Sequence, residues 1–138
     1  MNEVYADYEK NRLVITYGKT TVDSYLGFAE RVLEEASKLK KGFTIFSDLR
    51  AFSMNKGEHI VHTNVIEIRN MQKKLYEMGA SEVIRVVDPQ VWLFVAMQEA
   101  EKEVGYNAIV FDEITEARVA LEDIESEIVE NMDRGNID

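Results

Sequence analysis

The run Val83-Ile84-Arg85-Val86-Val87-Asp88-Pro89 changes character at Asp88. Apart from Arg85, the residues before it are β-branched and apolar, the pattern of a short strand buried on both faces. Asp88 then supplies a capping carboxylate, and Pro89 pre-sets φ at a first helical position, where no backbone donor is needed. A helix is expected from there to about Val104, stopped by Gly105, and Ala108-Ile109-Val110-Phe111 reads as the next strand. Two strands separated by a helix lie parallel and are joined by a right-handed crossover.

The same alternation continues upstream. A helix is predicted from about Glu58 to Met78, with Val61, Val65, Ile68, Met71, Leu75 and Met78 on its buried face and Gly79 as its stop. Phe43-Thr44-Ile45-Phe46-Ser47-Asp48 is the strand before it, and a polar loop through Ser53, Asn55 and Lys56 joins the two. An earlier helix carries Val22, Tyr25, Leu26, Ala29, Val32, Leu33, Ala36 and Leu39 at helical spacing. Thr20 or Thr21 is expected to cap it and Gly42 to stop it. Lys38, Lys40 and Lys41 then fall at its expected end, where cations complement the helix dipole. Val4–Tyr8 and Leu13–Tyr17 form an opening hairpin through Glu9-Lys10-Asn11-Arg12. Downstream, Thr115 is expected to cap a last helix that turns Ala117, Leu121, Ile124 and Ile128 inward.

The predicted order is therefore β-β-α-β-α-β-α-β-α, an α/β fold with a mixed five-stranded sheet covered by helices. One domain covers residues 1–124, and 125–138 form a helical extension with a frayed tail. A chain of 138 residues, 46% of them hydrophobic, supports one core without staples. It has no cysteine, which removes disulfides and thiolate metal sites and fits a reducing, cytoplasmic setting. Met1-Asn2-Glu3-Val4 has no basic or apolar character of a targeting segment. The longest apolar run, Val91–Met97, is too short to span a bilayer, so no integral membrane association is expected. A net charge of −10 repels phosphate backbones, so nucleic acid is not an expected partner.

Two stretches carry a family resemblance. Phe46-Ser47-Asp48-Leu49 ends a strand in an acidic residue before a loop. Gly105-Tyr106-Asn107-Ala108-Ile109-Val110-Phe111-Asp112, followed by Thr115-Glu116-Ala117, joins a glycine, a strand and a last helix. With the order and lengths of the elements over about Val4 to Ile124, the chain resembles the STAS, or SpoIIAA-like, superfamily. The resemblance implies that fold and, in members that antagonise anti-sigma factors, a phosphorylatable serine at the start of the helix after the third strand. Lys56-Gly57-Glu58-His59 stands there instead, and the nearest hydroxyl is Ser53, so a phospho-switch is not expected. The resemblance also implies relatives that hold apolar, lipid-like molecules between helices and sheet.

Several side chains merit a functional reading. Asp48, Arg50 and Arg85 lie near strand C-termini, where open α/β sheets bind ligands. With Ser53, Lys56 and His59 they are the candidate ligand-binding residues, and an Asp–Arg ion pair without further role is the competing reading. His59 and His62 share a helix face at i and i+3, but a metal site needs three or four ligands and nothing fixes the others, so no metal is expected. Trp92, Leu93 and Met97 belong to a helix apolar nearly all round, and they are the candidate interaction surface. Tyr5, Tyr8, Tyr17 and Tyr25 form either a polar-tipped pocket or, more simply, cross-strand pairs. Glu122, Asp123, Glu125, Glu127 and Glu130 read as the solvated face of the last helix.

No nucleophile elbow, phosphate loop or dinucleotide fingerprint is present, so no catalytic residue and no cofactor is assigned. The expected function is a non-enzymatic regulatory or protein-interaction module that forms a homodimer or binds a protein partner. The alternative is a carrier of a small apolar or lipid-like ligand.

Overall fold

The computed structural model describes residues 2–54, 62–87 and 108–133. The hairpin forms as expected, from β1 (Glu3–Asp7) and β2 (Arg12–Thr16), antiparallel in the register Tyr5 opposite Val14. Its turn places Asn11 at φ +50°, a conformation in which asparagine is enriched. A two-residue strand, β3 (Lys19–Thr20), precedes α1 (Val22–Ala36). Thr21 caps α1 in a reciprocal box. Its Oγ1 accepts the Ser24 N–H at 3.0 Å, and the Ser24 hydroxyl oxygen accepts the Thr21 N–H at 2.9 Å.

The chain continues through β4 (Thr44–Asp48), β5 (Ser53–Met54) and α2 (His62–Glu77), then β6 (Glu82–Val86), β7 (Ala108–Phe111) and α3 (Ile114–Asp133). The main sheet has the order β1-β2-β4-β6-β7, with only β1 antiparallel. The molecule is thus α/β with a mixed five-stranded sheet. Two elements depart from the predicted order: β3 and β5 pair in parallel as a separate two-stranded sheet. The helix predicted between β6 and β7 and the first residues predicted for the helix from Glu58 lie outside the described residues.

Register decides which face each strand residue serves. Because β2, β4 and β6 step in one direction across the sheet, right-handed crossovers put α1 and α2 on the same face. Phe28 and Val32 of α1 and Ile68, Met71 and Leu75 of α2 accordingly pack on Leu13, Ile15, Ile45 and Val83. The last helix follows the final strand, so no crossover constrains it, and it covers the opposite face. There Ala117 and Leu121 meet Phe46, Ile84 and Val86. Each of the larger buried side chains, Val, Leu, Ile, Phe or Met, contributes about 1.5–3 kcal/mol. Phe28 lies outside the predicted stripe yet is buried, with its ring edge-on to Tyr17 at 5.6 Å.

Several helix ends differ from expectation. Ser37 is the C-cap of α1, and its N–H bonds the Leu33 carbonyl at 3.0 Å. The helix therefore stops before Gly42, and no basic residue lies in its last turn. Lys38, Lys40 and Lys41 instead occupy the connection to β4. Gly42, at φ +90°, donates its N–H to the Gly79 carbonyl at 2.7 Å, which sets the chain entering β4 beside the end of α2. Gly79 is at φ +101°, and a Cβ there would lie 2.8 Å from Lys41 Cγ. Thr115 sits inside the first turn of α3, which begins one residue earlier. The Ala117 N–H bonds the Glu113 carbonyl at 3.1 Å. The helix runs unbroken across position 125. No helix among the described residues is long and apolar enough to cross a membrane.

Candidate functional site

The C-terminal end of the parallel strands holds four of the candidate residues, and it does not gather them. Asp48 ends β4, and the chain turns so that Arg50 folds back on it. Arg50 Nη2 donates to Asp48 Oδ2 at 2.8 Å, while Arg50 Nε and the Arg50 N–H each donate to Oδ1 at 3.0 Å. Burial pushes the Asp48 carboxyl up, but the bonds from Arg50 and the charges of Arg50 and Arg118 outweigh it and hold Asp48 below its ordinary value. The bond to Asp48 in turn raises Arg50. Such a pair, closed between residues two apart, uses up the polar groups that a ligand would need.

Ser53 lies in β5, where its backbone N–H donates to the Gly18 carbonyl at 3.2 Å. Arg85 is 2% exposed and has Ser47 as its register neighbour on β4. By alternation, Ser47 and Arg85 face the α1–α2 side, with Ile45 and Val83, whereas Asp48 and Phe46 face the α3 side. Asp48 and Arg85 are therefore separated by the sheet itself. Lys56 and His59, together with Trp92, Leu93 and Met97, lie outside the described residues. Of the tyrosines, Tyr17 is buried against Phe28, while Tyr5 and Tyr8 are exposed, so those three neither line a common pocket nor pair with one another. Among the described residues, no group of three or more His, Asp or Glu is placed to hold a metal ion.

The opposite end of the sheet is built differently. The hairpin turn and the α1–β4 connection are clamped together by Asn11. Its Nδ2 donates to the Lys40 carbonyl at 3.1 Å, and its Oδ1 accepts the Lys40 N–H at 2.9 Å. The Asn11 carbonyl also accepts the Thr44 N–H at 3.1 Å. From the other side α3 is tied to the sheet by Glu125. This carboxylate takes both Arg12 Nε, at 2.8 Å, and Arg12 Nη2, and it accepts the Thr44 hydroxyl at 2.8 Å. The bond to Glu125 raises Arg12 above its ordinary value against the opposing effect of burial. Glu125 thus leaves the solvated face assigned to it from sequence and anchors the helix.

Between these two fixed walls lies a groove of about 1050 Å³. One wall carries Tyr8, Leu39 and the lysines 10, 38 and 40, together with Glu9. The α3 wall carries Glu122, Ser126, Val129 and Glu130, which fall on one side of the helix by their spacing. Tyr8 is 68% exposed and Val129 55%, so large apolar groups stand in water on both walls. Chemically the groove offers apolar contact between a basic and an acidic rim. Sequence reasoning missed it because the lysines were assigned to a helix terminus. The signal was present in Ser37, a residue that favours helix ends, placed before the lysines.

A scan of the chain against protein-family models finds no match, and a search of curated proteins finds none either.

Proposed function

We propose that this chain is a non-enzymatic interaction module of STAS-like type that meets a protein partner through the groove at the N-terminal end of its parallel strands. The observation that carries this reading is the pairing of exposed Tyr8 and Val129 across a groove whose walls are held by side-chain hydrogen bonds. A rigid aromatic anchor beside apolar and charged neighbours is the usual core of a protein interface. Pre-set walls lower the entropic cost of association. The βα order supports the STAS-like assignment, and the self-closed Asp48–Arg50 pair supports placing the contact away from the strands' C-terminal end.

A photo-crosslinking residue placed at position 129 in living cells tests this. Discrete polypeptide adducts are expected from position 129 and not from position 76 on α2, where Tyr76 is equally open at 58% exposure. Equal labelling from both positions, or none from 129, would remove the groove from consideration.

A further inference from the structure

A second surface, distinct from the groove, runs along β7. We infer that this strand is an open edge that takes up an extended apolar segment of another protein, flanked by lysine or arginine, as an added strand of the main sheet. Among the described residues β7 ends the strand order. In a parallel ladder the N–H and C=O of one residue address the same neighbour, and those of the next residue point to the opposite side. The Val87 N–H donates to the Phe111 carbonyl at 3.0 Å, so Phe111 and Ile109 serve β6. Ala108 and Val110 therefore turn their backbone groups outward, where no described strand meets them.

Sheets commonly blunt such an edge with charge, proline or a bulge. The other edge, β1, carries Glu3 and Asp7 at its ends. β7 reads Ala108-Ile109-Val110-Phe111 and has no charge and no proline. Ile109, 43% exposed, shares the α3 face with its register neighbour Ile84, and Val110, 38% exposed, lies on the opposite face. An added strand gains main-chain hydrogen bonds from Ala108 and Val110 and apolar contact on both faces. The incoming segment is therefore apolar at successive positions rather than at alternate ones.

Charge selects the occupant. Asp112 follows β7, and Glu116 lies in the first turn of α3. At the other end Glu82 precedes Val83, the register neighbour of Ala108. All three acids are exposed, and among the described residues none forms an ion pair. Arg50 and Arg118, at the C-terminal end of the strands, act on Asp48. Both ends of the edge are thus acidic, in a chain of net charge −10. A second copy would set β7 antiparallel to β7 about a two-fold axis normal to the sheet. Asp112 of each copy would then arrive at the Glu82 end of the other, acid toward acid. A segment with a cation on each side of an apolar stretch meets both ends favourably.

Titration of the full chain with the synthetic peptide acetyl-Lys-Val-Ile-Val-Val-Lys-amide, beside a twin with glutamate in place of both lysines, tests this by calorimetry and amide hydrogen exchange. The lysine peptide is expected to bind at least about tenfold more tightly than its twin. It should slow exchange at Val110 more than at Ile109, whose amide already bonds β6. Val110→Pro removes one outward donor and leaves the β6 ladder whole, so it should abolish binding with little change in the thermal melt. The variant E82K/D112K should reverse the preference between the two peptides, which keeps the test decisive if the proline variant does not fold. Each of four results would overturn the inference: no binding of either peptide, equal binding of both, binding without protection of Val110, or an unreversed preference in E82K/D112K. A dimer that protects the Val110 amide without peptide would likewise overturn it, by making a second copy the occupant.

Discussion

The two ends of the parallel sheet carry similar charged residues and put them to opposite uses. At the C-terminal end Asp48 and Arg50 satisfy each other within a single turn. At the N-terminal end Arg12, Glu125 and Thr44 come from three different elements and fasten a helix to the sheet. Around that anchor Lys10, Lys40 and Glu122 are exposed, while Lys38 is ion-paired with Glu35. Long-range polar contacts build a surface, whereas short-range ones close it. The hairpin tyrosines repeat the contrast: Tyr17 is 1% exposed and belongs to the core, while Tyr8 is 68% exposed and belongs to the groove.

The comparison can be broken most forcefully at Tyr17. Tyr17→Ala removes a buried ring and its edge contact with Phe28, and should cost about 3–5 kcal/mol in denaturant unfolding. Tyr8→Ser should change stability by less than about 0.5 kcal/mol, while the crosslink at position 129 is weakened or lost. Similar costs for the two would mean that Tyr8 is also structural.

Next in size is Glu125→Ala. It leaves Arg12 unsatisfied at the edge of the core, with side-chain exposures of 18% for Arg12 and 13% for Glu125 in the native pair. A loss of about 2 kcal/mol is expected, together with faster amide exchange in the second half of α3.

Asp48→Asn tests the other end and should cost less than about 1 kcal/mol, because the Arg50 side chain is 46% exposed. The folded carboxyl titrates below the ordinary value of 3.8. Its contribution is therefore complete above that pH and is lost as the pH falls through the lower folded value. Wild type and variant should differ at neutral pH and converge in strong acid, and the groove crosslink should be unaffected.

The smallest effect belongs to neither end. Glu67 of α2 has a buried Oε2 without a hydrogen-bond partner, and burial together with the charge of Glu30 on α1 pushes its carboxyl up. The raised value reverses the sign. The penalty is absent below the ordinary 4.5 and fully present above the folded value. Glu67→Gln should raise the melting temperature by about 1–2 °C at pH 7 and leave it unchanged below pH 4.5. A lower melting temperature at pH 7 would show that the carboxylate has a stabilising role.

Much of the fold was legible because parallel strands buried on both faces must be short apolar runs. Phe43–Asp48 and Val83–Val87 could hardly be read otherwise, whereas Ala108–Phe111, equally apolar in sequence, is an edge strand with Ile109 and Val110 exposed. Thr21 announces its helix by a hydroxyl in the capping position. The β3–β5 pair was not legible. Two residues have no period, and their pairing depends on two segments remote in the chain meeting. Phe28 was missed because it stands one position before the expected stripe, and its contact with Tyr17 comes from a distant strand end.

The candidate site divides the same way. Asp48 and Arg50 could be paired from their spacing alone, since residues two apart in a turn need no distant element. Arg85 could not be placed, because one residue of strand register separates the Asp48 face from the face under α1 and α2. The groove required still more. Lys40 meets Asn11 across 29 positions, and Arg12 meets Glu125 across 113. The amino-acid order determined the elements, through local periodicity and capping. Only the tertiary structure decided which charges are consumed by a partner and which remain on the surface, because that depends on distances between residues remote in the chain.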